Sequence, residues 1–200
     1  MPTLEFFYDV GSPWTYLAFH RIEEVAAEAE AELVWKPILV GGVFNTVNPA
    51  VYESRANPVK PRAVYMGKDL ADWARSYDLK IVLPPAVFPV NSVKAMRGAL
   101  VALDEGCVSQ YSRAAFEAYW GENLDISRDE VMVELARRAG LDADAFAQRI
   151  ASPEIKDRLR ANTDELIARG GFGSPTMFVD GDDLYFGNDR LVLVREALAR

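Results

Sequence analysis

Ser12 is the residue of this chain best placed for chemistry. It follows the aromatic run Leu4-Glu5-Phe6-Phe7-Tyr8, closed by Asp9, and directly precedes Pro13. A serine before a proline suits a helix N-cap and the first helical position, because proline has no N–H to leave orphaned there. Free N–H groups and the positive end of the helix dipole gather at such a point and favour an anion, a thiolate included. Capping alone explains most serines so placed. A Ser-His-Asp hydrolase is not expected, because the single histidine, His20, lies two turns along the same helix and reads as a surface or packing residue.

Two further constellations carry possible chemistry. Gly170-Gly171-Phe172-Gly173-Ser174-Pro175-Thr176 combines three glycines with a proline just before an apolar stretch. A cis Ser174–Pro175 bond would turn backbone groups outward to pair with an extended peptide, and a simple helix-to-strand turn fits equally well. In Phe186-Gly187-Asn188-Asp189-Arg190, the polar pair stands at the start of the last helix. Capping is one explanation. The other is that the helix start holds a carboxylate while Asp189 pairs with an ammonium group, as the γ-glutamyl end of glutathione would require.

The elements that must position these residues follow from local pattern. Leu4–Tyr8 reads as a first buried strand and the run from Trp14 to about Glu32 as an amphipathic helix. Leu33–Ile38 is a second strand, stopped by Pro37. Gly41-Gly42, Asn48-Pro49, Asn57-Pro58 and Pro61 predict a long loop over 41–62. From Ala63 to Arg169 only helices are expected, broken near Pro84-Pro85, Phe88-Pro89, Gly121, Gly140 and Ser152-Pro153. Ser127-Arg128-Asp129-Glu130 predicts a capping box. Thr176–Val179 and Leu184–Phe186 flank a hairpin turn, and Leu191–Ala199 closes the chain as a helix. The order β-α-β, helical block, β-β-α predicts an α/β layer split in sequence (1–40 with 170–200), with residues 41–169 inserted as a connecting loop and helical domain.

Composition narrows the partners. The 200 residues carry a formal net charge of −8, which argues against a nucleic-acid binder needing a basic face. No apolar stretch approaches the ~20 residues of a membrane span, and the N-terminus has no signal-sequence pattern. The single cysteine, Cys107, excludes an internal disulfide and reads as a packing residue; the single histidine excludes a multi-histidine metal site. The compartment expected from these features is a reducing cytoplasm.

Five blocks in order, Phe6–Ala18, Pro37–Phe44, Phe88–Ser92, Gly171–Thr176 and Phe186–Leu191, resemble the 2-hydroxychromene-2-carboxylate isomerase family, relatives of DsbA and of kappa-class glutathione transferases. The resemblance runs the length of the chain. It implies a thioredoxin-like fold with a large all-helical insertion, a homodimer, and glutathione as co-substrate beside a small aromatic substrate. Ser12 then matches the position that hydrogen-bonds the glutathione sulfur, and Ser174 and Pro175 match the loop that pairs with the cysteinyl backbone. Asn188 and Asp189 match the γ-glutamyl contacts, while Asn57, Lys60, Tyr65 and Asn91 match residues facing the substrate. Lys60 also has a physical rationale, since both ligands are anionic and the protein is acidic; a solvated loop lysine is its plain alternative. Tyr8, Trp14, Phe44 and Tyr65 are candidates for an aromatic wall beside the sulfur. Positions 12 and 15, where a redox-active Cys-x-x-Cys would fall, hold Ser12 and Thr15. Residues 45–61 depart from the family pattern and are expected to shape the substrate pocket. The implied activity is glutathione-dependent isomerisation of 2-hydroxychromene-2-carboxylate. A kappa-type transferase and a non-catalytic thioredoxin-fold binding module are the alternatives.

Overall fold

The computed structural model describes residues 1–200, and its central sheet has four strands in the order β2-β1-β3-β4. Strand β1 (Thr3–Tyr8) pairs in parallel with β2 (Glu32–Pro37) and antiparallel with β3 (Thr176–Val179), which forms a hairpin with β4 (Asp183–Phe186). Helix α1 (Pro13–Glu28) makes the crossing from β1 to β2 that a parallel pair requires, and α10 (Leu191–Leu198) packs beside it. Phe6 and Tyr8 project from β1 into an apolar cluster shared with α1 and with helices of the inserted block. Sheet and insertion therefore share one continuous core. Phe7, on the opposite face, joins Ile38, Val43, Leu166 and Phe178.

Between β2 and β3 lie α2 (Val40–Val47), α3 (Ala50–Ala56), α4 (Lys60–Ser76), α5 (Val93–Asp104), α6 (Val108–Phe116), α7 (Asp129–Arg138), α8 (Ala143–Ala151) and α9 (Pro153–Ala168), with a π-turn over Glu117–Gly121. The loop expected over 41–62 is thus mostly helical. Its prolines mark helix boundaries: Pro49 precedes α3 and Pro61 occupies the first turn of α4. Gly42 lies inside α2, where an added Cβ would stand 3.3 Å from Thr163 Cγ2, so the glycine permits close packing against α9. The capping box expected at Ser127 does not form. Helix α7 starts one residue later, with Arg128 at its N-cap, and the Asp125 carboxylate accepts both the Ser127 N–H (3.0 Å) and its hydroxyl (2.6 Å). No helix is long and apolar enough to cross a membrane.

Candidate functional site

Ser12 closes the β1–α1 loop and caps α1, its Oγ accepting the Thr15 N–H at 3.3 Å. The same hydroxyl donates to the Ser174 carbonyl at 3.0 Å. A sulfur placed here competes with that carbonyl for the serine proton. Ser174 is held from the other side as well: its Oγ accepts the Asp9 N–H at 3.0 Å and shares a hydrogen bond with the Thr15 hydroxyl at 2.8 Å. The Ser174–Pro175 bond is cis, and the Pro175 carbonyl accepts the Gly187 N–H at 3.1 Å. Gly187 has φ +101°, a conformation that favours glycine, and delivers the chain into a single 3-10 turn over Asn188–Arg190. Ser12, Ser174, Pro175 and the Asn188-Asp189 pair are therefore linked through consecutive backbone contacts. The N–H groups of Trp14 and Ser174 make no hydrogen bond within the protein. Two donors thus stay open beside the Ser12 hydroxyl.

Asn188 and Asp189 are not helix caps: neither side chain bonds a free N–H of the turn or of α10. Asn188 is buried, and its Nδ2 lies beside the Tyr77 hydroxyl without forming a well-aligned hydrogen bond, so it is available to another acceptor. Both residues line a 240 Å³ cavity together with Arg21, Trp73 and Tyr77. Asp189 is half-exposed there and pairs with Arg190.

A 340 Å³ cavity reaches the Ser12 loop at Gly11, and its wall also includes Val40, Phe44, Arg55, Asn91 and Ser92; Ser12, Ser174 and Pro175 line neither this cavity nor the smaller one. The floor of the larger cavity is organised by Asp9, a fully buried acid. Asp9 Oδ1 accepts the Gly11 N–H at 2.8 Å, and Oδ2 accepts the Val40 N–H at 2.8 Å and the Ser92 hydroxyl at 3.0 Å. Burial pushes its carboxyl pKa up, and the three hydrogen bonds pull part of the way back. One side chain thereby fixes three segments far apart in sequence around the Ser12 loop.

The remaining expected residues divide. Asn91 lines the larger cavity, but neither cavity is lined by Asn57, Lys60 or Tyr65. Asn57 is exposed and donates to Glu53, and Tyr65 is 63% exposed on α4. Of the expected aromatic wall only Phe44 lines either of these two cavities. Tyr8 is fully buried, its Oη bonded to Ser112 Oγ at 2.7 Å, and Trp14 packs against Leu17, Leu70 and Ala74. Cys107 is half-buried at the start of α6, and burial raises its thiol pKa. His20 stacks on Tyr77, remote from any acid–base partner of Ser12. Asp9, Thr15 and Arg55 were missed from sequence. Thr15 could have been found from its place three residues after Ser12, whereas the partners that give Asp9 its role, Val40 and Ser92, are distant in sequence. Arg55 sits in the segment read as loop and gave no signal.

Residues 3–199 match a family profile described as "DSBA-like thioredoxin domain". The chain is 30% identical over 189 residues to a 2-hydroxychromene-2-carboxylate isomerase of Sphingobium xenophagum, covering 94% of each protein. It is 28% identical over 210 residues to glutathione S-transferase kappa 1 of Homo sapiens, covering 98% of this chain and 91% of that one. A solved 2-hydroxychromene-2-carboxylate isomerase superposes with a TM-score of 0.83 at 28% identity, over 99% of this chain and 95% of that one.

Proposed function

Because the chain belongs to the DsbA-like thioredoxin family yet carries Ser12 and Thr15 where a redox pair would stand, we propose that it holds glutathione as a thiolate at Ser12 and uses it as a returning nucleophile. The observation that carries this is the Ser12 Oγ–Ser174 O contact, flanked by the open N–H groups of Trp14 and Ser174. It joins the N-terminus of α1 to the loop before β3 and leaves donors where a sulfur and a cysteinyl carbonyl would lie. The available Asn188 Nδ2 and the Asp189 carboxylate suit the carboxylate and ammonium of a γ-glutamyl group.

The chemistry is addition and elimination. The thiolate forms a C–S bond to the conjugated carbon of ring-opened 2-hydroxychromene-2-carboxylate, and the double-bond electrons move onto the neighbouring carbonyl. The former double bond is now single and rotates. Return of the electrons expels the thiolate and leaves trans-o-hydroxybenzylidenepyruvate. Ser12, shifting its proton from the Ser174 carbonyl to sulfur, and the helix N-terminus stabilise the thiolate at both ends of the cycle. Serine cannot be trapped as a mixed disulfide, which suits a nucleophile that must leave again. A homodimer in a reducing cytoplasm completes the proposal.

The similarity to kappa-class transferases favours one second reading, conjugation of small electrophiles by the same thiolate. Product analysis separates them. Isomerisation leaves total glutathione constant while substrate is consumed; transfer depletes it in step with substrate, and that result would refute the isomerase assignment.

A further inference from the structure

Arg55 is the one charged side chain on the wall of the 340 Å³ cavity. Its guanidinium carbon stands 5.5 Å from the ring centroid of Phe44 and 5.5 Å from that of Phe88, so it is held between two aromatic faces. Phe44 is in turn braced edge-on by Tyr52, whose hydroxyl donates to Asn45 Oδ1 at 2.8 Å. Arg55 pairs with no carboxylate. Glu53, the nearest acid in sequence, is engaged by Asn57, whereas Arg149 and Arg158 on the far side both pair with Asp104. Aromatic contact of this kind fixes the plane of a guanidinium while leaving its N–H fork free for a planar oxyanion.

The surroundings make that fork consequential. The protein carries a net charge of −8, and Asp9 lies just behind the cavity floor. An anionic ligand enters such a cavity only against a local cation. Most of the rest of the wall is apolar or backbone, and the volume suits one small ring system. We infer that Arg55 is the specificity-determining residue of this cavity, selecting a flat co-substrate that bears a carboxylate and docking that carboxylate away from Ser12. The inference rests on the glutathione chemistry proposed above for its catalytic meaning, but the recognition itself is separable from it. It also moves the anion-binding role from the exposed Lys60 to Arg55.

The test is calorimetric titration of the full chain with trans-2-hydroxycinnamate and with its methyl ester. The wild type, Arg55→Leu and Arg55→Lys are compared, and glutathione is titrated separately into the wild type. A charge-assisted contact predicts that the wild type binds the acid about 10- to 100-fold more tightly than the ester. Arg55→Leu abolishes that preference, and Arg55→Lys, a cation without the fork, keeps part of it. Equal acid-to-ester ratios in wild type and Arg55→Leu, or no binding of the acid to wild type, would overturn the assignment. Failure of glutathione to bind while the acid preference persists would sink the proposed function and leave Arg55 standing.

Discussion

Asp9→Asn conserves the volume of a fully buried side chain and changes only its hydrogen-bonding capacity. Three donors converge on the carboxylate: the Gly11 N–H on Oδ1, and the Val40 N–H and Ser92 hydroxyl on Oδ2. An amide offers one oxygen. Whichever way it is turned, its NH₂ faces a backbone N–H that has no other partner, because only Ser92 can reverse its role. One buried donor is orphaned, at a cost of about 1–3 kcal/mol. For a protein of this size each kcal/mol moves Tm by about 2–4 °C, so a fall of about 2–12 °C is expected. The effect also has a pH signature. Burial raises the Asp9 pKa in the folded state, so the folded protein holds the proton more tightly than the unfolded chain. The associated stability is fully present below the ordinary carboxyl value of about 3.9 and is lost as pH rises through the raised value. The asparagine variant lacks that dependence, and the gap between the two proteins is widest in acid and narrows as pH rises. The assay is thermal unfolding from pH 4 to 8. A Tm within 1 °C of wild type throughout, on the order of what a surface change produces, would show that Asp9 does not organise the cavity floor.

Two other perturbations test separate parts of the account. Asp189→Ala is expected to raise KM for glutathione and leave kcat nearly unchanged, because a γ-glutamyl contact remote from sulfur is felt equally in ground and transition states; a large fall in kcat at saturating glutathione would remove Asp189 from that role. His20, the only histidine, is expected to titrate below its ordinary 6.5, chiefly because it is partly buried against Tyr77 and secondarily because Arg113 and Arg21 are near. Its imidazole proton resonance followed by NMR against pH gives the midpoint directly, and a value above 6.5 contradicts that environment.

Local signals carried most of the sheet and the heart of the site. The aromatic run of β1, the Ser12-Pro13 start of α1 and the β3–β4 hairpin are each specified within a few residues, and each formed where expected. The 41–62 segment misled because Gly and Pro punctuate short helices as readily as loops, and contacts distant in sequence, such as that of Gly42 with Thr163, are not visible locally. Ser127 failed as a cap because Asp125, two residues earlier, outcompeted the helix for its hydrogen bonds. Ser12, Ser174 and Asn188 could be singled out from motif alone. Asp9 acquires its role only from Val40 and Ser92, 31 and 83 residues away, and Arg55 only from the approach of Phe88. Such long-range partners leave no periodicity to read.

The most direct test of the central claim is the ultraviolet absorbance of enzyme-bound glutathione thiolate, measured against pH in wild type and Ser12→Ala. A charge-assisted hydrogen bond of about 1.5–3 kcal/mol corresponds to roughly one to two units of thiol pKa. The Ser174 carbonyl competes for the same proton, which places the expected shift toward the lower end. The wild type should therefore ionise the bound thiol well below the ordinary value of about 8.5, and Ser12→Ala should titrate about one unit higher with glutathione still bound. Turnover near neutral pH should fall several-fold, with about tenfold as the ceiling for a one-unit shift, and recover as pH is raised. Superimposable titrations with equal turnover would contradict the account and reduce Ser12 to a helix cap.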